Sequence, residues 1–177
     1  KNGLTIFDAE ELSTHGGSLR IFAQRSDTGL HKITSQLLSL RGQEINSGMN
    51  SRSFYTGLQE KANVVKDDLL CFLIRAKQNG KSVVAYGAAA KGNTLLNYAG
   101  IRPDLVQYVV DRNPAKQGQY MPGSRIPIKA EGALKETKPD YIMILPWNLT
   151  DEVIDQLSYA KDWGAVFFSA IPSVSEV

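Results

Sequence analysis

The segment of this sequence best suited to chemistry is a run of small residues between a strand pattern and a helix pattern, residues 85–94 (AYGAAAKGNT). The N–H groups of a first helical turn have no intrahelical acceptor and carry partial positive charge, and small side chains let an anion approach the backbone. Lys91 adds a full positive charge in that turn. The pattern predicts a loop that binds phosphate or another anion.

Two known phosphate-binding loops can be compared with this run. A Walker A loop requires lysine where this sequence has Asn93, so that type of site is excluded. The dinucleotide fingerprint G-x-G-x-x-G fits better, with Gly87 first, Gly92 last and Asp111 where an acidic residue would bind ribose. Ala89 replaces the middle glycine, and its methyl group opposes a tightly held NAD. Close packing of the helix against the sheet is the structural alternative for these small residues.

Further polar and aromatic side chains follow the predicted strands. Asp111 ends one strand and Lys116 lies shortly after it, while Trp147 and Asn148 follow the strand at residues 141–145. Because ligands of open α/β sheets bind beyond the carboxyl ends of the strands, these residues are expected to share a rim with the loop. Trp147 offers a stacking face, and Asn148 offers both a donor and an acceptor to a base or sugar. The alternatives are a solvated surface for the lysine and a core-edge position for the tryptophan.

The elements that must position this rim alternate between strands and helices. Four short apolar runs rich in β-branched and aromatic residues predict buried parallel strands, at residues 82–86, 106–110, 141–145 and 165–169. Helix patterns lie between them, at residues 91–98, 130–136 and 150–163, the last with Thr150 as its expected N-cap. The predicted fold class is α/β, a Rossmann-like, mostly parallel sheet with flanking helices.

The chain before this sheet predicts a β-hairpin and a long helix. Strand patterns at residues 4–12 and 18–25 flank a turn that contains two glycines. Residues 28–52 are mostly polar, with one apolar cluster, and are interpreted as a linker that contains a short helix. From residue 53 to residue 78 apolar side chains recur every three or four positions, which predicts a long amphipathic helix with Cys71 buried in its core face.

Composition excludes several classes of function. The 177 residues carry 20 basic and 18 acidic side chains, and the net charge of +2 is too balanced to indicate nucleic acid or a membrane as partner. No apolar stretch approaches the roughly 20 residues of a membrane span. A single cysteine and the lack of a signal-peptide pattern favour a cytoplasmic protein. The two histidines have no metal-type or catalytic neighbours, so neither a zinc site nor a catalytic residue is assigned.

Four motifs follow one another over nearly the whole chain: residues 15–20 (HGGSLR), 86–101 (YGAAAKGNTLLNYAGI), 109–128 (VVDRNPAKQGQYMPGSRIPI) and 139–149 (PDYIMILPWNL). Together they resemble the C-terminal half of the S-adenosylmethionine-dependent sugar-nucleotide C-methyltransferases. The sequence is similar to the enzymes that methylate C3 of thymidine-diphosphate 4-keto-6-deoxysugars in building branched deoxysugars. The four motifs in this order are far more specific than the glycine pattern alone.

The resemblance implies that this chain is one part of a longer enzyme. In that family a zinc-binding module and a methyltransferase domain that binds S-adenosylmethionine precede the segment seen here, and the C-terminal domain helps to hold a nucleotide-diphosphate sugar. Residues 1–27 then resemble the last strands of the methyltransferase domain, 28–52 a linker, and 53–177 the Rossmann-like sugar-nucleotide-binding domain. We expect the hairpin to be mobile, repacked on the Rossmann-like domain, or paired with another copy. The sugar, the nucleotide and the oligomeric state stay open.

The same resemblance implies how this chain contributes to the reaction. The acidic proton beside the C4 ketone is removed, and the resulting enolate attacks the methyl group of the cofactor. The proton-transfer groups belong to the upstream domain, so the chain alone is expected to be inactive, and the motif that contains His15 is interpreted mainly as a strand and turn. The residues expected to bind substrate are Gly87, Ala88, Ala89, Lys91, Gly92, Asn93, Asp111, Lys116, Trp147 and Asn148.

Two other functions compete with this interpretation. A nicotinamide-dependent oxidoreductase domain is supported by Gly87, Gly92 and Asp111 and opposed by Ala89. A non-catalytic nucleotide-sensing or oligomerisation module would bind a ligand without any reaction, even in the full-length protein. Binding of NAD distinguishes the oxidoreductase, and methyl transfer by the full-length protein distinguishes the module.

Overall fold

The computed structural model describes residues 2–14 and 17–177. The chain divides into two compact units, Lys1–Gln59 and Glu60–Val177. His15 and Gly16, on which the predicted turn falls, lie outside the described residues. None of the helices in the described ranges combines the length and the apolar character that a membrane crossing requires.

The first unit is built from the predicted hairpin and a helix that packs against it. Its elements are β1 (Leu4–Leu12), β2 (Ser18–Arg25), α1 (Ser35–Asn46) and α2 (Arg52–Tyr55). β1 and β2 pair antiparallel, which confirms the hairpin. Thr34 caps α1, because its hydroxyl accepts a hydrogen bond from the N–H of Leu37 and donates one to the carboxylate of Asp8. The segment predicted as a linker therefore contains a 12-residue helix that is fastened to the hairpin.

The second unit contains the predicted sheet. Its strands are β3 (Val83–Tyr86), β4 (Val109–Val110), β5 (Ile128–Lys129), β6 (Tyr141–Ile144), β7 (Val166–Ser169) and β8 (Ser175–Glu176). They lie in the order β5-β4-β3-β6-β7-β8, and every pairing is parallel except that of β7 with β8. The helices are α3 (Leu58–Gln78), which starts just before the unit boundary, α4 (Ala90–Tyr98), α5 (Gly132–Thr137) and α6 (Thr150–Gln156). The predicted α/β class with a mostly parallel sheet is confirmed.

Alternate residues of β3 contribute to two cores. Val83 and Ala85 pack in a core that includes residues of α3 and α4, whereas Val84 and Tyr86 pack in a core that includes residues of α5 and α6. All four are buried, which is why this strand is a continuous apolar run in the sequence. The sheet therefore carries helices on both faces, and the segments that follow its strands meet at its carboxyl edge.

Two predictions about the long helix are wrong. The helix starts at Leu58 rather than at residue 53, because Gly57 adopts a left-handed φ of +84° and separates α2 from α3. Cys71 is exposed. The helix buries Leu69 and Leu73, and the helical period places residue 71 on the opposite side.

Two other elements differ from the prediction at their ends. Thr150 begins α6 instead of capping it, because its hydroxyl donates to the carbonyl of Trp147 in the preceding turn. That helix ends at Gln156, and a 3-10 helix follows at Ser158–Trp163. β4 has only two residues, although its backbone hydrogen bonds to β3 extend the contact back to Gln107.

Candidate functional site

Three strand ends bring the predicted residues to one carboxyl rim. β3 lies between β4 and β6, so the chain leaves this edge at Gly87, at Asp111 and at Leu145 on three neighbouring strands. The chain adds β4 and β5 on one side of β3 and then returns to add β6 and β7 on the other side, so the strand order reverses at β3. Such a reversal point is where ligands of open α/β sheets bind.

The two loop glycines are explained by close packing. Gly87 has a left-handed φ of +94°, and a Cβ there would lie 2.6 Å from Cδ of Pro146. Gly92 is buried in the first turn of α4, where a Cβ would lie 2.6 Å from Cβ of Leu145. Close packing of the helix against the sheet therefore explains glycine at both positions, because a side chain at either one would collide with the residues that follow β6. This packing also fixes where the first turn of α4 sits.

The N-terminus of α4 has no side-chain cap. Ala89 is the N-cap residue, and its methyl group offers no hydrogen-bond acceptor. The first helical N–H to find an acceptor within the helix is that of Asn93, which donates to the carbonyl of Ala89 at 2.9 Å. The amides of Ala90, Lys91 and Gly92 belong to the turn whose N–H groups have no intrahelical acceptor. This helix end therefore presents donors and partial positive charge to the rim.

An ion pair holds the loop from the β4 side. The Asp111 carboxylate accepts from the N–H of Ala88 at 2.8 Å, from Nζ of Lys116 at 3.0 Å and from the N–H of Asn113 at 2.9 Å. Lys116 Nζ also donates to the carbonyl of Ala88 at 2.8 Å. The Asp111 side chain is only 13% exposed, so it acts here as a clamp on the loop. Its ribose-binding role stays a prediction.

A second lysine lies on the β6 side of the same helix start. Lys91 Nζ donates to Oδ1 of Asn148 at 3.3 Å and lies 5.7 Å from the centroid of the Trp147 ring. Trp147 is half-buried and packs against the core that α4 helps to form. The predicted lysines, Lys91 and Lys116, therefore flank α4 on opposite sides. The structure therefore brings the predicted residues after β4 and those after β6 to the start of the same helix.

A groove of about 440 Å³ opens on the β4 side of the loop, and we call it the Tyr120 groove. It is lined by Ala88, Ala89, Ala90, Asn93, Ala115, Lys116, Gln119, Tyr120, Met121, Pro122 and Ile128. Sequence reasoning assigned four of these eleven residues, and the seven that it missed include Gln119, Tyr120 and Met121. The available signal was an aromatic residue between Lys116 and the Pro122-Gly123 turn.

A polar network on the other face of the sheet was also missed. Gln156 accepts through Oε1 from the hydroxyl of Tyr86 at 3.0 Å and from Arg112 at 3.2 Å, and its amide nitrogen donates to Glu131. Tyr159 donates to the same carboxylate at 3.0 Å. Burial raises the pKa of Tyr86 and, together with Glu131, raises the pKa of Tyr159. Both phenols therefore stay protonated near neutral pH and act as donors.

Metal ligands are not grouped in the part of the chain that the structure describes. No three His, Cys, Asp or Glu side chains within residues 2–14 and 17–177 lie close enough together to hold a metal ion. His15, which belongs to the HGGSLR motif, is outside the described residues.

Comparison with known proteins identifies relatives. The sequence model of a family described as the C-methyltransferase C-terminal domain matches residues 13–172. The chain is also similar to the C-methyltransferase NovU of Streptomyces niveus, with 29% identity over 171 residues that cover 97% of this chain. The chain spans 40% of the length of that relative. The family match includes the loop, both lysines and the Tyr120 groove.

Proposed function

Because this chain belongs to the family of C-methyltransferase C-terminal domains, we propose that it is the substrate-holding part of an S-adenosylmethionine-dependent enzyme. The proposed substrate is a 4-keto-deoxysugar linked to a nucleoside diphosphate. The relative NovU, which is longer than this chain, supports a further domain outside this sequence. We place binding of S-adenosylmethionine, the family's zinc ion and the proton-transfer groups in that domain, so this chain alone transfers no methyl group.

The proposed chemistry is methylation at a carbon next to a ketone. The ketone acidifies the neighbouring C–H bond, and loss of that proton leaves an enolate whose carbon is nucleophilic. S-adenosylmethionine, when bound, would supply the electrophilic methyl group, and S-adenosylhomocysteine would be the leaving group. The residues of this chain bind and orient the nucleotide end of the substrate, which holds the reacting carbon at a fixed place relative to the catalytic groups.

The observation that carries the proposal is the convergence of positive charge on the first turn of α4. Lys91 lies on the β6 side of this turn, and Lys116 lies on the β4 side. The amides of Ala90 to Gly92 face the rim between them. A diphosphate carries two anionic groups that suit backbone donors beside the Lys91 ammonium. The Asp111 carboxylate offsets the charge of Lys116, so the net positive charge at this turn comes from Lys91 and the helix start.

We further propose the domain organisation that the resemblance implies. Residues 1–27 form the last strands of the methyltransferase domain, residues 28–52 a linker, and residues 53–177 the sugar-nucleotide-binding domain. The boundary between the two compact units, at Gln59 and Glu60, lies close to the second proposed boundary. The hairpin exposes Leu4, Leu19 and Ile21, an apolar surface that is typical of a face covered by another domain.

Calorimetric titration of this chain tests the proposal. Thymidine diphosphate, a thymidine-diphosphate deoxysugar and NAD are titrated into the wild-type chain, Lys91→Ala and the control Lys61→Ala, which removes an exposed lysine of α3. Loss of one charge-assisted contact is expected to raise the Kd for the thymidine nucleotides about tenfold in Lys91→Ala alone. Binding of NAD but not of thymidine nucleotides would favour the oxidoreductase domain. Silence toward all three ligands would refute a substrate-holding role for this chain.

Methyl transfer by the full-length protein separates an enzyme from a binding module. Transfer of labelled methyl groups from S-adenosylmethionine to the deoxysugar is expected only when the upstream domain is present. Nucleotide binding without transfer in the full-length protein would instead support a non-catalytic module.

A further inference from the structure

We propose that the Tyr120 groove receives the nucleobase of the sugar nucleotide and that the base stacks on Tyr120. The inference rests on the proposed function, because it assigns a place to one part of the proposed substrate. It makes Tyr120 a base-binding residue, although sequence reasoning gave the stacking role to Trp147.

Of the two aromatic side chains at this rim, Tyr120 has the accessible ring. Its side chain is 65% exposed beside the groove. Trp147 is half-buried, packs against the core, and has the Lys91 ammonium over its ring at 5.7 Å. A base that stacked on Trp147 would compete with these contacts. A base that stacked on Tyr120 would cover apolar ring surface that is otherwise left in water.

The backbone that carries Tyr120 is firmly held. The next residue, Met121, is 2% exposed, and its N–H donates to the carbonyl of Ile126 at 2.8 Å, while Ile126 is completely buried. Asn97 of α4 donates from Nδ2 to the carbonyl of Pro122 at 2.9 Å. Buried anchors and a bond to α4 therefore fix Tyr120 relative to the helix that carries the diphosphate donors. With the backbone held in this way, binding of a base needs to order only the side-chain torsions of Tyr120.

The walls of the groove suit a planar heterocycle. Ala88, Ala115 and Ile128 supply apolar surface, and the amide side chains of Asn93 and Gln119 supply donors and acceptors for the edge of a base. The volume of about 440 Å³ lies within the range of small-molecule sites. Planar rings between apolar walls with a few amide groups are recognised by stacking and edge hydrogen bonds.

The groove is also continuous with the proposed diphosphate site. Ala88, Ala89 and Ala90 line the groove, and the same residues lead into the first turn of α4. Lys116 lines the groove and donates to the carbonyl of Ala88. A base in the groove would therefore lie next to its own diphosphate at the helix start, with the sugar end of the substrate directed away from Tyr120.

The test compares ligands with and without a base. Thymidine diphosphate and inorganic pyrophosphate are titrated calorimetrically into the wild-type chain, Tyr120→Ala and Tyr120→Phe. Loss of the ring is expected to raise the Kd for thymidine diphosphate about tenfold to hundredfold, which is the range that stacking of one base supplies. The Kd for pyrophosphate is expected to stay unchanged, and Tyr120→Phe is expected to keep wild-type affinity because it keeps the ring.

A second measurement on the wild-type chain does not depend on folding of a variant. Nuclear Overhauser effects are expected between the thymine methyl protons and the Tyr120 ring protons of the complex. Equal affinity of Tyr120→Ala and wild type for thymidine diphosphate, without these effects, would overturn the groove assignment. If in that case Lys91→Ala still bound thymidine diphosphate more weakly than the wild-type chain, the proposed function would stand. If the wild-type chain bound no thymidine nucleotide, both would fall.

Discussion

Substitution of Gly92 by alanine tests whether close packing fixes the start of α4. The new Cβ would lie 2.6 Å from Cβ and 2.9 Å from Cδ1 of Leu145. A contact between two Cβ atoms cannot be relieved by rotating a side chain, since each Cβ moves with its backbone. To reach an ordinary separation of at least about 3.5 Å, α4 and the end of β6 must move apart by about 1 Å.

Two opposing effects determine how much Gly92→Ala changes the free energy of unfolding. Overpacking of this kind costs about 1–3 kcal/mol. Alanine in place of glycine inside a helix recovers up to about 1 kcal/mol. The expected net loss in the free energy of unfolding is about 1–2 kcal/mol, which lowers the Tm by about 3–10 °C for a unit of this size. Because the first turn of α4 moves, Gly92→Ala should also weaken the binding of thymidine diphosphate.

Thermal and urea unfolding followed by circular dichroism measure the effect. Gly132→Ala is the matched control, because Gly132 is also helical and a Cβ there meets no atom of the described residues within 4 Å. The control is expected to keep or slightly raise the stability of the wild-type chain. If Gly92→Ala proved as stable as Gly132→Ala, the packing explanation of this glycine would be refuted.

Two other substitutions probe polar contacts away from the loop. The hydrogen bond from Lys81 is the main reason that the pKa of Asp140 falls from 3.8 to about 2, so its contribution to stability is present above pH 4 and lost as the pH falls toward 2. Between pH 4 and pH 2, the free energy of unfolding measured with urea should therefore fall less for Asp140→Asn than for the wild type. An equal fall for both proteins would contradict this. Gln156→Ala leaves the buried hydroxyl of Tyr86 without its acceptor and should cost about 1–3 kcal/mol in the same assay. The exposed neighbour Asp155, changed to alanine, should alter stability by less than about 0.5 kcal/mol, and equal effects would exclude the network.

The sheet could be predicted from sequence because its strands are buried on both faces. β3, β6 and β7 are short apolar runs rich in branched and aromatic side chains, and each lies within one or two residues of its predicted position. The alternation of these runs with helix patterns was enough to predict a mostly parallel sheet. The hairpin was predictable for a similar local reason, since two alternating runs flank glycines.

The wrong predictions fall where the contacts or the conformation of a single residue decide the local structure. A periodic pattern extends through residue 57, yet Gly57 takes a left-handed conformation that ends one helix before the next begins. Cys71 stands in an apolar run, and only the helix packing decides that Leu69 and Leu73 face the core instead. Thr150 has the chemistry of a cap, but its hydroxyl bonds to the preceding turn.

The rim was predictable in outline and not in detail. Carboxyl ends of parallel strands meet, so Asp111 and Lys116 could be placed near the loop from sequence alone. Their ion pair, which turns Asp111 inward, depends on the fold of the segment after β4. The proposed role of Tyr120 and the hydrogen bonds of Gln156 depend on contacts between elements distant in sequence, such as the bond from Asn97 to the turn after Tyr120. No local pattern signals such contacts.

The most direct test of the central claim is an NMR titration of the isotopically labelled chain with thymidine diphosphate. If the first turn of α4 holds the diphosphate, the largest amide shifts should occur at Ala90, Lys91 and Gly92, and they should follow one saturable binding curve. Inorganic pyrophosphate should shift the same amides. Shifts that leave these three amides unmoved, with saturation elsewhere in the chain, would contradict the account.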